Sequence, residues 1–190
     1  LKLGVIVVEV AAIIPAYNEA NTIGEILTVL KECPRVKQII VVSDGSTDHT
    51  VRVAGSFKGV EVLELPFNIG KGGAIMAGFK HTRAEVLLFL DADLIGLNTG
   101  HVDSLLAPVL ELRAQMTVGV FDRGRMATDL AQKMAPFLSG QRALTRSLLE
   151  QVAYLDISRF GMEVVLHRYA EEHNIPTVTV CLPDLSHVIK

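Results

Sequence analysis

The sequence predicts an α/β fold: a doubly wound, mainly parallel sheet with helices on both faces. Strand and helix patterns alternate through the first half of the chain with short connections between them, which is the signature of right-handed parallel crossovers. The strand segments are continuous apolar runs, as expected where a sheet is covered on both faces. Polar clusters directly follow the strands, at the carboxyl ends where open α/β sheets bind their ligands.

Val10 to Ile14 reads as a strand stopped by Pro15, and Asn21 to Lys31 as an amphipathic helix with Asn21 as its cap. Val36 to Val42 is a second strand, followed by a polar turn and a short helix through Val51 and Val53. Val60 to Leu65 is a third strand, Gly70 to Lys80 a helix with a glycine-rich start, and Glu85 to Leu90 a fourth strand. In the second half, Val102 to Arg113 reads as a helix and Met116 to Phe121 as a strand. Leu144 to Val152 and Gly161 to His173 read as helices, and Thr177 to Cys181 as a final strand. With 190 residues and no linker-like stretch, a single domain over 1–190 is expected, with residues 10–110 and 111–190 as its two halves.

Composition narrows the function classes. Apolar residues make up 49% and mean hydropathy is +0.38, which a parallel core explains without a membrane. The run from Val5 to Ala16 is broken by Glu9, is too short to span a bilayer, and lacks a secretory cleavage pattern. A net charge of −3 gives no sign of nucleic-acid binding. Cys33 and Cys181 have neither metal-ligand nor redox spacing, so a cytoplasmic setting is expected. Residual apolar surface on the second-half helices would permit a homodimer.

Four segments carry chemistry. Asp91-Ala92-Asp93 closes the fourth strand; residues two apart on an extended chain share a side, so both carboxylates converge while Ala92 faces away. Such a pair suits Mg2+ or Mn2+ bridging to phosphate. Pro15-Ala16-Tyr17-Asn18-Glu19 ends the first strand, where Tyr17 and Glu19 can stack on and hydrogen-bond a base, or simply form a strand-to-helix turn. In Asp44-Gly45-Ser46-Thr47-Asp48, Asp44 can accept from a base N–H, whereas Asp48 fits capping chemistry. Gly70-Lys71-Gly72-Gly73-Ala74 lets backbone N–H groups approach a diphosphate beside the Lys71 charge, or serves close helix packing. It is not a P-loop, because Leu65 and Gly72 stand where that motif needs Gly and Ser or Thr.

These four segments, in this order, resemble the family-2 type of glycosyltransferase with a GT-A fold, the nucleotide-diphospho-sugar transferase fold. The likeness covers residues 10–110. It implies that Pro15, Ala16, Tyr17, Glu19 and Asp44 contact base and ribose, and that Gly70 and Lys71 contact the nucleotide or its phosphates. It further implies that Asp91 and Ala92 meet ribose or sugar, and that Asp93 binds the metal. Later segments are similar in order to those of glucosyl-3-phosphoglycerate synthases: Gly124-Arg125-Met126-Ala127-Thr128, Ser139-Gly140-Gln141-Arg142, Phe160-Gly161-Met162-Glu163 and His187. Carried across, Arg125, Thr128 and Gly140 hold an anionic acceptor and His187 joins the metal. Ser139-Gly140-Gln141 departs from the Gly-Glu pair of those enzymes, and polyprenyl-phosphate sugar synthases share a similar layout.

Independently of any likeness, residues 122–146 hold five cations (Arg123, Arg125, Lys133, Arg142, Arg146) against Asp122 and Asp129, which suits a phosphate or carboxylate ligand. Glu163 opens a helix, where a carboxylate is favoured by the dipole, and it is equally a candidate to orient or deprotonate an acceptor hydroxyl. The expectation is therefore a glycosyltransferase using Mg2+ or Mn2+, a nucleotide-diphosphate sugar donor (UDP- or GDP-linked) and a small anionic or lipid-phosphate acceptor. A lipid acceptor would make it peripheral at the membrane. Its rivals are a polyprenyl-phosphate sugar synthase and a sugar-phosphate nucleotidyltransferase; the latter needs a glycine-rich, Arg-containing loop where Pro15-Ala16-Tyr17 stands.

Overall fold

The structure, a computed structural model, describes residues 8–121, 139–153 and 161–188. Its first half runs β1 (Val10–Ala16), α1 (Ile23–Glu32), β2 (Gln38–Asp44), α2 (Thr50–Gly55), β3 (Val60–Leu65), α3 (Lys71–His81), β4 (Val86–Phe89), β5 (Leu94–Ile95) and α4 (Thr99–Leu110). Then follow β6 (Met116–Phe121), β7 (Arg142–Thr145), α5 (Arg146–Val152), α6 (Met162–Glu172), β8 (Thr177–Leu182) and β9 (Ser186–His187). Seven strands form one sheet in the order β3-β2-β1-β4-β7-β6-β8, and β5 pairs with β9 in a two-stranded ladder. All neighbours in the first half of the sheet are parallel, as is β6 with β8. Strand β7 runs antiparallel to both β4 and β6.

The continuous apolar runs are explained by burial on both faces. Val10, Ala12 and Ile14 pack on one side with α1 and α4, through Ile23, Ile26, Leu27, Val102 and Leu105. Ala11 and Ile13 point to the other side, against α3, α5 and α6 through Ile75, Leu148, Met162 and Leu166. Each fully buried Val, Leu, Ile or Met side chain among these stabilises the fold by about 1.5–3 kcal/mol. Helix α3 comes especially close to the sheet, because a Cβ on Gly78 would lie 2.6 Å from Ile13 Cγ2 and 3.2 Å from Val42 Cγ2.

Four expectations are corrected. Leu144 and Thr145 belong to β7, and the helix begins only at Arg146, with the Thr145 side chain accepting from Leu148 N. Pro15 does not stop its strand: it pairs in register with Val42, and β1 continues to Ala16. Ile13 O accepts from Leu90 N, so odd-numbered residues of β1 face β4, and β4 has already ended at Phe89 where Pro15 would need a partner. Helix α1 starts at Ile23 after Thr22, and Asn21 does not cap it. Helix α4 starts three residues earlier than its apolar pattern, because Asn98 and His101 form a reciprocal capping box.

Candidate active site

A cleft of about 560 Å³ opens at the carboxyl ends of β1, β2 and β4. Pro15, Ala16, Tyr17, Glu19, Asp44, Gly70, Lys71, Asp91, Ala92, Asp93 and His187 line it, together with Asn68, which the motif reading missed.

The floor is built by cross-strand ties between the first two polar segments. Asn18 takes a left-handed conformation (φ 56°), and its Oδ1 accepts from Thr47 N at 2.8 Å. Asp48 accepts from Ala20 N and from Thr50 N, and Thr50 Oγ1 accepts from Glu19 N at 2.8 Å. These bonds fix the turn that presents Tyr17, which is half exposed at the cleft wall, and Glu19, which is nearly buried at 9%. Asp44 lines the cleft and has a structural task as well: its two oxygens accept from Ile69 N (2.8 Å) and Gly70 N (2.9 Å) and it is 3% exposed. Its carboxylate thus holds the loop that leads into α3. Gly45 is required behind it, since its φ is +70° and a Cβ there would meet Asn68 N at 2.7 Å.

Asp91 and Asp93 converge, though not by strand alternation. Strand β4 ends at Phe89, and Ala92 and Asp93 form a turn leading to β5. The short β5–β9 ladder pairs Leu94 with His187 and brings the histidine to the acidic pair. His187 Nδ1 lies 2.9 Å from Asp93 Oδ1, its Nε2 lies 3.9 Å from Asp91 Oδ2, and Phe121 packs edge-on against its ring. One ligand atom from each of Asp91, Asp93 and His187 falls within 4.8 Å of the others. Two carboxylates and an imidazole in that compass fit a divalent cation that prefers oxygen with some nitrogen, such as Mn2+ or Mg2+.

Lys71, the first residue of α3, reaches Asp91 Oδ1 at 2.5 Å and Glu163 Oε1 at 2.7 Å. Glu163 stands in the first turn of α6, so Lys71 joins the two halves of the molecule. Burial alone would raise the Glu163 carboxyl, but the Lys71 ammonium and its hydrogen bond, with the Arg142 charge beyond, outweigh burial and hold it below its ordinary value. Burial would likewise lower Lys71, yet Asp91 and Glu163 together raise it. Arg142 is 1% exposed, and burial pushes it down to about 10 despite the Glu163 charge, so it stays cationic at neutral pH. Arg142, one of the five cations counted over residues 122–146, is buried and donates Nε–H to Ser139 O at 2.9 Å.

Gly140 lies behind the Lys71–Asp91 pair. A Cβ there would stand 2.6 Å from both Asp91 oxygens and closer still to Lys71 Nζ. The neighbouring Gln141 donates from Nε2 to Asp91 Oδ2 at 2.9 Å. Of the predicted residues, Arg125 and Thr128 lie outside the described residues.

A mainly parallel sheet with helices on both faces, and an Asp-x-Asp pair at the carboxyl end of a central strand beside a cleft, defines a GT-A glycosyltransferase domain. The model of the family described as Glycosyl transferase family 2 matches residues 11–167, and the chain belongs to that family. Glucosyl-3-phosphoglycerate synthase from Mycobacterium tuberculosis, solved with Mn2+, uridine diphosphate and phosphoglyceric acid, superposes with a TM-score of 0.81. The match covers 96% of this chain and 71% of that one at 24% identity. The same enzyme has been solved with Mg2+ and uridine diphosphate. Among curated relatives, a dolichyl-phosphate beta-glucosyltransferase of Drosophila melanogaster is 42% identical over 100 residues, covering 45% of this chain and 31% of its own length. An undecaprenyl-phosphate 4-deoxy-4-formamido-L-arabinose transferase of Klebsiella pneumoniae is 36% identical over 95 residues, covering 45% of this chain and 29% of its own length. The chain therefore spans about a third of the length of the curated relatives it matches.

Proposed function

We propose that this chain transfers a sugar from a nucleotide-diphosphate donor to a phosphate-bearing acceptor. The observation that carries the reading is the convergence of Asp91, Asp93 and His187 within 4.8 Å, next to Lys71 at a helix start, in one cleft. Tyr17 offers a half-exposed ring for the base, with Pro15, Ala16 and Glu19 around it. Asp44 acts on the nucleotide indirectly, by fixing the Asn68–Gly70 backbone that borders it. Lys71 and the positive end of the α3 dipole supply positive charge for the diphosphate. Asp93 and His187 would hold the cation, which when bound neutralises charge on the departing diphosphate. Asp91 accepts from the sugar or ribose beside it and, within 4.8 Å of both, can share the cation with Asp93 and His187. Glu163, held ionised by Lys71 and Arg142, is set to accept the hydrogen bond of an incoming hydroxyl and so orient it, while its lowered value makes it a weak base.

The acceptor assignment of Arg125 and Thr128 rests on sequence alone. Two acceptor classes fit: a small phosphorylated acid, as in the structural neighbour, and a polyprenyl phosphate, as in the names of the curated relatives. Among the described residues no helix is long and apolar enough to cross a membrane. The test is isothermal titration of UDP and GDP with and without Mn2+, followed by transfer from labelled donors to phosphoglycerate and to short-chain polyprenyl phosphates. Nucleotide binding should need Mn2+, and Asp93→Ala should abolish turnover. Full turnover of Asp93→Ala with a chelator present would sink the proposal.

A further inference from the structure

Resting on the glycosyl-transfer reading above, we propose that Gln141 is the positioning residue that fixes Asp91 in the metal and sugar corner of the cleft. Gln141 immediately precedes β7 and is wholly buried, at 0% exposure. Arg142 pairs in register with Phe89, which places Gln141 alongside the end of β4 just before Asp91. A carboxylate has only acceptors to offer, so the amide must present its nitrogen; Nε2 donates to Asp91 Oδ2 at 2.9 Å. The opposite end of the amide, Oε1, lies 3.2 Å from Ser139 Oγ.

Asp91 is thereby held from two sides by donors of different charge. Lys71 takes Oδ1, while neutral Gln141 takes Oδ2, the oxygen that also faces His187 Nε2 at 3.9 Å. On the side turned toward the cation corner the donor carries no charge of its own. A lysine or arginine there would repel an arriving divalent ion, and a glutamate could not donate. A purely structural residue at a fully buried strand end would more economically be apolar, because a buried amide is costly unless its hydrogen bonds are met. Here Nε2 has Asp91 as acceptor, and Oε1 lies by the Ser139 hydroxyl, whose single proton is shared with Gly119 O. Gln141 stands behind a metal-corner carboxylate as outer-shell groups do, and loss of such partners typically weakens metal binding about 10–100-fold.

The test uses Mn2+ alone and Mn2+ with UDP as probes, read by the electron paramagnetic resonance signal of the free ion, on the full chain. Gln141→Glu sets two carboxylates face to face, and Gln141→Met keeps the volume but removes the donor. Both should raise the Mn2+ dissociation constant at least about tenfold. Thermal melting supplies a second readout: Gln141→Glu lowers the melting temperature, and adding Asp91→Asn restores it, because an amide again faces a carboxylate with the roles exchanged. Mn2+ affinity within about twofold of wild type in Gln141→Met overturns the positioning role. A double variant that melts no higher than Gln141→Glu overturns the contact. Wild-type protein that binds neither Mn2+ nor UDP overturns the underlying glycosyl-transfer reading, and that outcome is visible before any variant is compared.

Discussion

Replacing Gly140 by alanine isolates the geometry of the Lys71–Asp91 pair. Gly140 has no positive φ, so its backbone accepts an L side chain and the obstacle is space alone. The added methyl would sit 2.6 Å from both Asp91 oxygens, about 0.8 Å inside ordinary van der Waals contact, and nearer still to Lys71 Nζ. The obstructing atoms are side-chain ends, which give way more readily than backbone, so the fold survives while the ammonium and carboxylate are pushed from the cleft wall. A displacement of roughly 1 Å at a reacting centre can cost on the order of 100-fold in rate. Gly140→Ala should therefore lose about 10–100-fold in kcat/KM while its melting temperature falls by only a few degrees. The assay is release of nucleoside diphosphate from the donor identified by titration, alongside a thermal melt. Wild-type turnover in Gly140→Ala would refute the claim that this pair must stay where it is.

Three other outcomes follow from the same coordinates. Glu163 is held below its ordinary value, so its stabilising share is complete above about pH 4.5 and drains away as pH falls through the lower folded value; Lys71 is raised, so its share is complete below about pH 10.5 and is lost above the folded value. The gap in melting temperature between Lys71→Met and wild type should hence be wide at neutral pH and shrink as pH falls below about 4.5; a constant gap would show that the charge pairs contribute nothing. Gly78→Ala crowds Ile13 and Val42 and should cost about 1–3 kcal/mol, seen as a melting temperature lower by roughly 3–10 °C, whereas an unchanged melt would mean α3 can lift off the sheet freely. Tyr17→Ala should weaken UDP binding by at least about 1 kcal/mol, roughly fivefold, with Tyr17→Phe near wild type, because the ring face is the contact.

The sequence made β3 and β6 legible to the residue, since each is an apolar or alternating run bounded by turn residues. It also located the cleft: of the residues named for the nucleotide and metal corner, those from Pro15 to Asp93 and His187 all line it. What it hid were features decided by tertiary pairing. Strand β7 is four residues long and runs straight into α5, so its apolar positions were absorbed into a helical pattern. The structural task of Asp44 was hidden because nothing local announces that Ile69 N and Gly70 N need its oxygens. The burial of Arg142 and Gln141 follows from that same inserted strand, which no periodicity of a four-residue segment could reveal.

Insertion of β7 between β4 and β6 also constrains how the molecule can be made. The sheet from β3 to β4 comes from the first ninety or so residues, yet its β4 edge stays open until residues 142–145 have emerged from the ribosome. A nascent chain paused between those points would present a bare hydrophobic strand to any neighbour, and a fragment cut there should precipitate rather than persist as a folded half. Gly140 and Gln141 arrive on that closing segment, so the cleft becomes competent only when the seam is sealed, and half-finished molecules stay silent.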